Sequence, residues 1–371
     1  MQINTIEAQD KLLLDTNKEQ IQEQQTIKPR LQISDYITVG ALIDAQYTYN
    51  AQILNSGDVN QSSIFRIRRA RLDFKGTITP KISFRLHTDF ASSPKLLDAF
   101  VKIKFCQQVE LQVGQFKIPF SLENAYSSYN LEFSEKAQVI SALAGHEDIS
   151  GVKTFSNGRE IGLMLSGVLA RFESQGQKYP LLSYSIGVFG GNGINVKNDN
   201  MAKDISGRIN FSPFLKNFVL SGSVYYGNYA ILDSLDGLRL RCAGGAEYKN
   251  DCLTVRAEYV WGKTGLLAMN ESNIPYSKNI STHGFYVVAG YWFNFGWGQK
   301  SNVTQKMRPV LRYDYYQQDI LNRNTNSIYY SLGIDWWPEK HLRFVLNYTL
   351  CQYIKYKKPS HCFTTMLTIK V

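Results

Sequence analysis

Apolar and polar residues alternate along most of the chain from Tyr36 onward. In the segment LTVRAEYVW, every second residue from Leu253 is apolar or aromatic, and Thr254, Arg256 and Glu258 lie between them. This period of two is typical of β-strands that have one face in an apolar environment. The pattern predicts sixteen strands, at about residues 36–49, 63–76, 81–91, 96–106, 108–118, 158–170, 180–190, 202–212, 217–227, 239–249, 251–262, 283–294, 306–316, 327–337, 340–350 and 362–371.

Short and long connections alternate between the predicted strands. Short turns such as GTITP, QQ and PE follow even-numbered strands, whereas longer stretches follow odd-numbered strands, and the longest of these is 119–157. The segment ASSPK is shorter than this rule requires, and 295–305 is longer. An even number of roughly ten-residue strands with this alternation is typical of outer-membrane barrels. We therefore predict an all-β fold, a transmembrane antiparallel β-barrel of about 16 strands.

A soluble β-sandwich or propeller is the alternative fold, because the same alternation then buries one face of each strand. A sandwich rarely combines so many strands with alternating long and short connections, and the chain shows no repeat at propeller spacing. The chain also has no run of about 18 apolar residues, the length that a membrane helix needs. These observations favour the barrel.

Residues 1–35 lack the strand pattern and are polar and rich in Gln and Glu. A short helix or coiled coil fits this stretch, and so does a mobile polar tail. We predict two parts, a periplasmic tail of residues 1–35 and an outer-membrane barrel of residues 36–371. The opening MQINTIEAQD does not resemble a signal peptide, so the predicted bacterial outer-membrane location supposes that this signal has been removed.

The chain is basic, with 41 Lys and Arg against 31 Asp and Glu and a formal net charge of +10. Such an excess favours anionic partners, which include nucleic acids, lipid head groups and small anions. In a water-filled barrel the polar face points inward, and fixed cations there favour the passage of anions. The predicted partners are therefore small anions and outer-membrane lipid or lipopolysaccharide, and not nucleic acid.

The segment FRIRRARLDFK carries the densest positive charge. One strand register directs Arg69 and Arg71 into the bore, and the other directs Arg66 and Arg68 there. A bulge between Ile67 and Arg69 would bring both pairs inward, since one extra residue reverses the alternation. Guanidinium groups match phosphate or carboxylate oxygens in pairs, so the cluster is a candidate oxyanion site. The alternative is a patch that faces solvent or lipopolysaccharide.

Other charged residues also fall on the inward face of predicted strands. Asp98 lies on the same face as Lys102 and Lys104. An acid among bases holds their side chains in place and keeps anion binding weak enough for release, although ordinary ion pairing explains each residue equally well. The remaining candidates for the pore lining are Arg85, Arg256 and Arg312.

The connection 119–157 shows no regular pattern, and a connection of this length is either functional or disordered. We expect it to be the third extracellular loop and to fold into the bore, and the alternative is a loop packed over the outer surface. Inward folding would bring Lys117, Glu123, Lys136 and Lys153 to a constriction.

Five cysteines without a CxxC pair argue against a zinc site. Cys351 and Cys362 flank the last long connection and fall on the inward register, so a cross-strand disulfide and two unpaired thiols are both open. The chain has no nucleophile elbow, phosphate-binding loop, zinc-protease helix or dinucleotide fingerprint. We therefore predict no enzymatic activity, no metal and no cofactor.

The segment VGQFKIPFSLEN (113–124) resembles the Gly-Gln-Phe-Lys-x-Pro-Phe block of the phosphate-selective porin O/P family. The segments RIRRARLDFKG, LLDAFVKIKF, NGREIGLMLSG and RPVLRYDYY agree with the family in the same order, and the resemblance covers roughly residues 36–371. It implies a passive, trimeric outer-membrane channel of sixteen strands whose third loop folds inward. It also implies an anion site of arginines, lysines and an aspartate, which maps by motif position onto Arg68, Arg69, Arg71, Asp98 and Lys117.

These observations predict a porin for small anions, above all for phosphate- or polyphosphate-type oxyanions. The alternative function is that of an envelope scaffold, or of a partner subunit of another outer-membrane transport or secretion machine. Residues 1–35 would then be the segment that docks an envelope protein.

Overall fold

The computed structural model describes residues 31–34, 36–53, 59–144, 149, 158–174, 176–196, 202–213, 215–232, 235–296, 304–356 and 358–371. Residues 1–30 of the predicted tail and Lys153 of the predicted constriction therefore lie outside the described residues. Within these ranges, no helix combines the length and the apolar character needed to cross a membrane.

The described residues form eighteen β-strands and two short α-helices. The strands are β1 (Leu31–Ser34), β2 (Ile37–Ile53), β3 (Val59–Thr79), β4 (Ile82–Asp89), β5 (Lys95–Lys104), β6 (Glu110–Lys117), β7 (Arg159–Ser174), β8 (Gln177–Phe189), β9 (Asp204–Phe211), β10 (Phe218–Leu232), β11 (Leu235–Lys249), β12 (Leu253–Met269), β13 (Pro275–Tyr291), β14 (Phe293–Gly296), β15 (Thr304–Gln317), β16 (Asn326–Glu339), β17 (Leu342–Tyr353) and β18 (Ser360–Lys370). Helices α1 (Leu122–Ala125) and α2 (Gln138–Ala144) lie between β6 and β7, and a 3₁₀ turn (Arg323–Thr325) precedes β16.

The strands form one closed antiparallel sheet. Except at β13 and β14, each strand pairs with the next along the chain, and β18 closes the barrel by pairing with β2 from His361↔Ala51 to Lys370↔Leu42. Strands β13 and β14 are two segments of one barrel strand, because both pair with β15 and only Trp292 separates them. Strand β1 pairs with the first residues of β2 and adds nothing to the circumference. The seventeen strands β2–β18, with β13 and β14 counted as one, give sixteen, which confirms the predicted fold class and strand number.

Some strands extend well into the predicted long connections. Residues 263–282 were expected to form a loop, but β12 and β13 remain paired up to Met269↔Pro275, and only residues 270–274 connect them. Backbone hydrogen bonding between neighbouring strands does not end where the lipid ends, whereas the apolar alternation does. The sequence pattern therefore marks the part of each strand that faces lipid, and it underestimates the length of the strand.

The two faces of the wall differ in polarity. Outward side chains are apolar and exposed, and they include Ile43, Leu72, Leu86, Leu163, Ile209, Leu311 and Leu332. Inward side chains are largely polar or charged and buried, and they include Asp44, Arg69, Asp98, Arg239, Arg256, Asp314, Asp335 and Arg343. This arrangement suits lipid outside and water inside, as in outer-membrane barrels.

A β-bulge in β3 resolves the two registers of the arginine segment. Asp44 pairs with Arg69 and the next residue of β2, Ala45, pairs with Ile67, so Arg68 is the extra residue. One extra residue reverses the alternation on one side of the bulge. The predicted bulge between Ile67 and Arg69 is thus present, and Arg66 and Arg69 both point inward.

Candidate functional site

The connection between β6 and β7, called the third loop below, enters the barrel and binds its inner wall. At its start, Glu258 of β12 accepts hydrogen bonds from Ser121 Oγ (3.0 Å), Leu122 N (2.7 Å) and Glu123 N (3.2 Å). These N–H groups belong to the first turn of α1, where a helix has no partner of its own to offer. The wall carboxylate therefore caps the first helix of the loop and fixes where the loop begins.

Farther along the third loop, arginines of the wall bind it. Arg256 Nη2 lies 2.7 Å from one oxygen of Glu132, and Arg308 Nη1 lies 3.4 Å from the other. Arg343 Nη2 donates a hydrogen bond to Leu131 O at 2.7 Å. Burial raises the pKa of Glu132, but Arg256 and Arg308 outweigh burial and lower this pKa to about 2. Glu132 is therefore charged at neutral pH and holds the loop to the wall.

Helix α2 adds an apolar contact between the third loop and the wall. Its residues Val139, Ile140 and Leu143 are fully buried. They belong to one apolar cluster with three wall valines, Val260, Val288 and Val310. Apolar side chains on the inward face of the wall would be unfavourable in contact with the water of the bore. Here they pack against the loop instead.

Two arginines of β3 are paired with acids of neighbouring strands. Arg69 Nη1 lies 2.7 Å from Asp44 Oδ2, and both side chains are buried. Arg71 Nε lies 2.7 Å from Asp89 Oδ2, and its Nη1 donates to Ser128 Oγ of the third loop at 3.0 Å. Their charges are therefore largely neutralised within the wall.

The other two arginines of β3 share one carboxylate of the third loop, Glu135. Arg66 Nη2 lies 3.5 Å from Glu135 Oε1, and Arg68 Nη2 donates to Glu135 Oε2. The side chains of Arg66 and Glu135 are both 48% exposed. This contact between wall and loop is therefore accessible to solutes in the bore.

Asp98 of β5 binds two arginines and a histidine of two other strands. Arg159 Nε lies 2.7 Å from Asp98 Oδ1, and Arg85 Nη1 and His87 Nδ1 lie 3.1 Å and 2.9 Å from Asp98 Oδ2. Arg85 also binds Asp73 at 2.7 Å. Asp98 is almost completely buried. It therefore orders Arg85 and Arg159, and not Lys102 and Lys104 as its position in the sequence predicted, and although it points inward it is shielded from the water of the bore.

Two lysines, Lys117 at the end of β6 and Lys136 within the third loop, have no carboxylate within ion-pair distance among the described residues. Lys117 Nζ donates to Asn124 O at 2.8 Å and to Tyr126 O, and Lys136 Nζ donates to Asn124 Oδ1 at 2.7 Å. Burial lowers the pKa of Lys136 to about 8, because nearby arginines add to burial and together they outweigh the attraction of Glu123.

Lys102 and Lys104 lie at the end of β5, next to the short turn at 105–109. Lys102 Nζ is 2.8 Å from Glu110 Oε1, and its side chain is 34% exposed. Lys104 stands opposite Glu110 in the register and is exposed. These two cations therefore mark the opposite mouth of the bore from the third loop, which is the periplasmic mouth in a barrel with long outer loops.

Comparison with known families decides the identity of the chain. The family of phosphate-selective porins O and P matches residues 41–230, slightly more than half of the chain. The chain belongs to this porin family. No curated protein matches the porin. Family and fold together are those of an outer-membrane channel.

Several solved porins share the fold. An anion-selective porin from Comamonas acidovorans has a TM-score of 0.62 and 14% identity, over 90% of this chain and 99% of that chain. OmpF of Salmonella typhi, in complex with daunomycin, has a TM-score of 0.62 and 15% identity, over 92% and 100%. The channel DcaP of Acinetobacter baumannii has a TM-score of 0.59 and 13% identity, over 90% and 97%. At these identities the likeness shows the fold of the porin and no more.

Two residues predicted to line the bore, Arg256 and Arg312, lie under the third loop instead, and Glu123, predicted for the constriction, is buried within the loop itself. The side chain of Arg256 is 1% exposed and is bound to Glu132. Arg312 donates to Glu135 O at 2.8 Å and stacks on Phe133, and buried Glu123 accepts from the loop's own Ala137 N at 2.9 Å. The loop covers this side of the wall, so inward residues here meet the loop before they meet water.

Cys351 and Cys362, which the sequence left open as a disulfide or as two thiols, are both free thiols in the structure. The register pairs Cys351 with Ser360 and Cys362 with Thr349, so the two cysteines are diagonal neighbours. Within the described part of the chain, no group of three His, Cys, Asp or Glu side chains is placed to hold a metal ion.

Sequence reasoning missed several residues that organise the bore. Asp44 and Arg308 fall on the face of their strands that the alternation predicts to be inward. The alternation does not identify their partners, Arg69 and Glu132, which are distant in the sequence. Glu132 and Glu135 lie in a connection without any pattern. Arg159 lies in the segment NGREIGLMLSG, and its place in that block of the family resemblance was its one available signal.

Proposed function

We propose that this porin passes small anions by passive diffusion, and that phosphate-type oxyanions are its preferred solutes. The observation that carries the proposal is the pair Arg66 and Arg68, two inward arginines that share the single carboxylate of Glu135 in a solvent-accessible part of the bore. Two cations against one anion leave a positive charge in the path of the solute. Fixed positive charge in an aqueous bore favours anions over cations.

The chemistry of these groups supports oxyanions in particular. A guanidinium group offers parallel N–H donors that match two oxygens of one phosphate or carboxylate, which a spherical chloride ion does not offer. Partly exposed cations, each paired with an acid, continue along the same wall at Arg85 and then at Lys102 near the short-turn mouth. A series of weak sites suits conduction better than one tight site, because each solute must also leave.

A homotrimer in the outer membrane is part of the same proposal, as are lipid and lipopolysaccharide contacts on the apolar outer face. Residues 36–371 form the barrel domain in this proposal, and residues 1–35 form a periplasmic tail that binds an envelope partner and is joined to the barrel through the pairing of β1 with β2. No energy source or cofactor is required, since solutes move down their own gradients. No catalytic role is proposed for any residue.

Reconstitution in a planar bilayer tests the proposal. Across a potassium chloride gradient, we expect a reversal potential of the sign that means anion selectivity. Inorganic phosphate added at constant ionic strength should reduce the chloride current at lower concentration than acetate does. A reversal potential of the opposite sign would overturn the proposal. A folded protein that conducts no ions would instead support the role of an envelope scaffold or partner subunit.

A further inference from the structure

We infer that three inward-facing glycines of the wall, Gly245, Gly262 and Gly284, form a seat for the third loop and thereby set the width of the bore. The inference deepens the proposed channel function and depends on it. These residues lie on β11, β12 and β13, on the side of the barrel that faces away from the arginines of β3. We call them the glycine seat.

Two glycines of the seat lie directly beneath helix α2. A Cβ atom at Gly262 would stand 3.1 Å from both Cδ atoms of Leu143. A Cβ atom at Gly284 would stand 2.8 Å from Cβ of Val139. Both distances are below the optimum for two carbon atoms, about 3.5–4.0 Å. The helix therefore approaches the sheet as closely as a bare backbone allows.

Gly245, the third glycine of the seat, lies directly beneath α1. A Cβ atom at Gly245 would stand 2.9 Å from Cδ1 of Leu122, the first residue of that helix. Gly245 also pairs in register with Glu258, the residue that caps α1. The seat and the cap therefore fix the start of the loop together, one by shape and the other by hydrogen bonds.

The small residues form a continuous surface across the strands. Ala243 stands opposite Val260, and Val260 stands opposite Gly284, so three strands offer small or β-branched side chains in one row. Leu143 and Val139 are fully buried against this surface. Close packing of this kind leaves no room for an extra methyl group without movement of one partner.

The position of α2 decides how much of the bore remains open. The helix has the sequence QVISALA and carries no charge, and only its Gln138 and Ser141 are partly exposed. A bulkier residue between the helix and the wall would push the helix away from the wall, which narrows the bore. The glycine seat is therefore a determinant of pore size, and the arginines are determinants of charge selectivity.

Gly262 is the best position for a test. The atoms near its missing Cβ are side-chain atoms of Leu143 and Arg241, whereas at Gly284 the backbone oxygen of Tyr315 lies 2.5 Å away. A side chain at Gly262 thus presses on two side chains, Leu143 of the loop and Arg241 of the wall, and its nearest contacts include no backbone atom of the sheet. Gly244 supplies the matched control, because it is exposed on β11 and an added Cβ there meets nothing within 4 Å.

The experiment compares the variants Gly262→Val and Gly244→Val in planar bilayers with the wild-type porin. We expect Gly262→Val to lower the single-channel conductance about two-fold and to exclude smaller polyethylene glycols, because overpacking moves the loop helix. Gly244→Val should match the wild type. The double variant Gly262→Val/Leu143→Ala should regain conductance, since the deletion makes room for the added methyl groups.

Equal conductance and equal polymer exclusion for Gly262→Val and Gly244→Val would overturn the inference. A loss in Gly262→Val that Leu143→Ala does not relieve would also overturn it, because the effect would then not pass through this contact. If Gly262→Val does not fold, Leu143→Phe enlarges the same contact from the loop side and should lower the conductance in the same way. Wild-type porin that conducts no ions would refute the channel proposal itself, which is a separate result.

Discussion

Inward arginines serve two different purposes in this barrel. On β12, β15 and β17, Arg256, Arg308 and Arg343 are buried beneath the third loop and bind its carboxylates and carbonyls. On β3, Arg66 and Arg68 meet a half-exposed carboxylate at the edge of the bore. The residue type and the strand alternation are the same on both sides. What differs is whether the loop covers the side chain.

The covered and the open arginines also differ in how much their ion pairs contribute to stability. A buried ion pair is costly to break, because the remaining charge has lost its water and its partner. An exposed ion pair contributes little to stability, and its partner remains free to exchange for a solute. The covered arginines therefore anchor the third loop, and under the proposed function the open arginines are the groups available for transport.

The largest effect is expected from Arg256→Met, which tests the covered side. The change leaves Glu132 and Glu247, which lie 2.7 and 3.2 Å from the guanidinium group, without this buried partner. We expect the free energy of unfolding to fall by about 3 kcal/mol, the lower end for a broken buried pair, because Arg308 still reaches Glu132. Thermal unfolding followed by circular dichroism measures the loss.

Loop release is the second readout for this variant. Arg256→Met should expose the third loop to protease in reconstituted vesicles, whereas Arg323→Met, on the exposed 3₁₀ turn, should behave as the wild type. A stable Arg256→Met protein with a protected loop would remove the distinction between anchoring and transport arginines.

The double change Arg66→Gln/Arg68→Gln tests the open side. It removes the cations that share Glu135, so the reversal potential should shift strongly toward cations. The free energy of unfolding should fall less than in a variant that breaks a fully buried pair, because Arg66 and Glu135 are both 48% exposed, although Arg68 is 16% exposed. Arg69→Gln is the matched comparison, because it leaves Asp44 buried without its partner and should destabilise the barrel by about 3 kcal/mol. Unchanged selectivity in the double variant would place the anion path elsewhere.

Much of the barrel was accessible from the sequence because local alternation reports which environment each strand face meets. The sixteen wall strands and the bulge at Arg68 follow from that alternation. Covered and open arginines were not separable in this way, since Arg256 and Arg66 obey the same period of two. Their difference depends on Glu132 and Glu135, which lie in a segment without periodicity and reach the wall only through the closed fold.

A pH series tests whether the charge of Lys136, which lies between the covered and the open arginines, contributes to anion selectivity. Lys136 lies in the third loop near both Glu123 and the arginines, and its pKa is lowered to about 8. Its positive charge is therefore present below that pH and lost above it, so anion selectivity should decline as the pH rises through about 8. The variant Lys136→Met should lack this step, and Lys340→Met, on an exposed turn, should retain it. A step that survives in Lys136→Met would assign the titration to another group.

The same shift makes a prediction about stability. The unfolded chain keeps the proton of Lys136 up to the ordinary value of 10.5, whereas the folded chain loses it near 8. The unfolded state thus binds more protons between these values, so this group adds stability as the pH rises across that window. The contribution of Lys136 is read from the difference between wild type and Lys136→Met in thermal unfolding at the two ends of the window.

The smallest effect is expected from Glu135→Gln, which changes the open side without removing a cation. Glu135 is the loop carboxylate that competes with a solute for Arg66 and Arg68. Its exposed pairing is worth about 0.5–1 kcal/mol, so the phosphate concentration that halves the chloride current should fall roughly two- to five-fold. Glu173→Gln, exposed on the hairpin of β7 and β8, serves as the control of equal charge. A higher phosphate concentration for half block would mean that Glu135 orders the two arginines for the solute, as Asp98 orders Arg85 and Arg159. The open arginines would then also depend on an anchor, and the two sides of the barrel would differ only in degree.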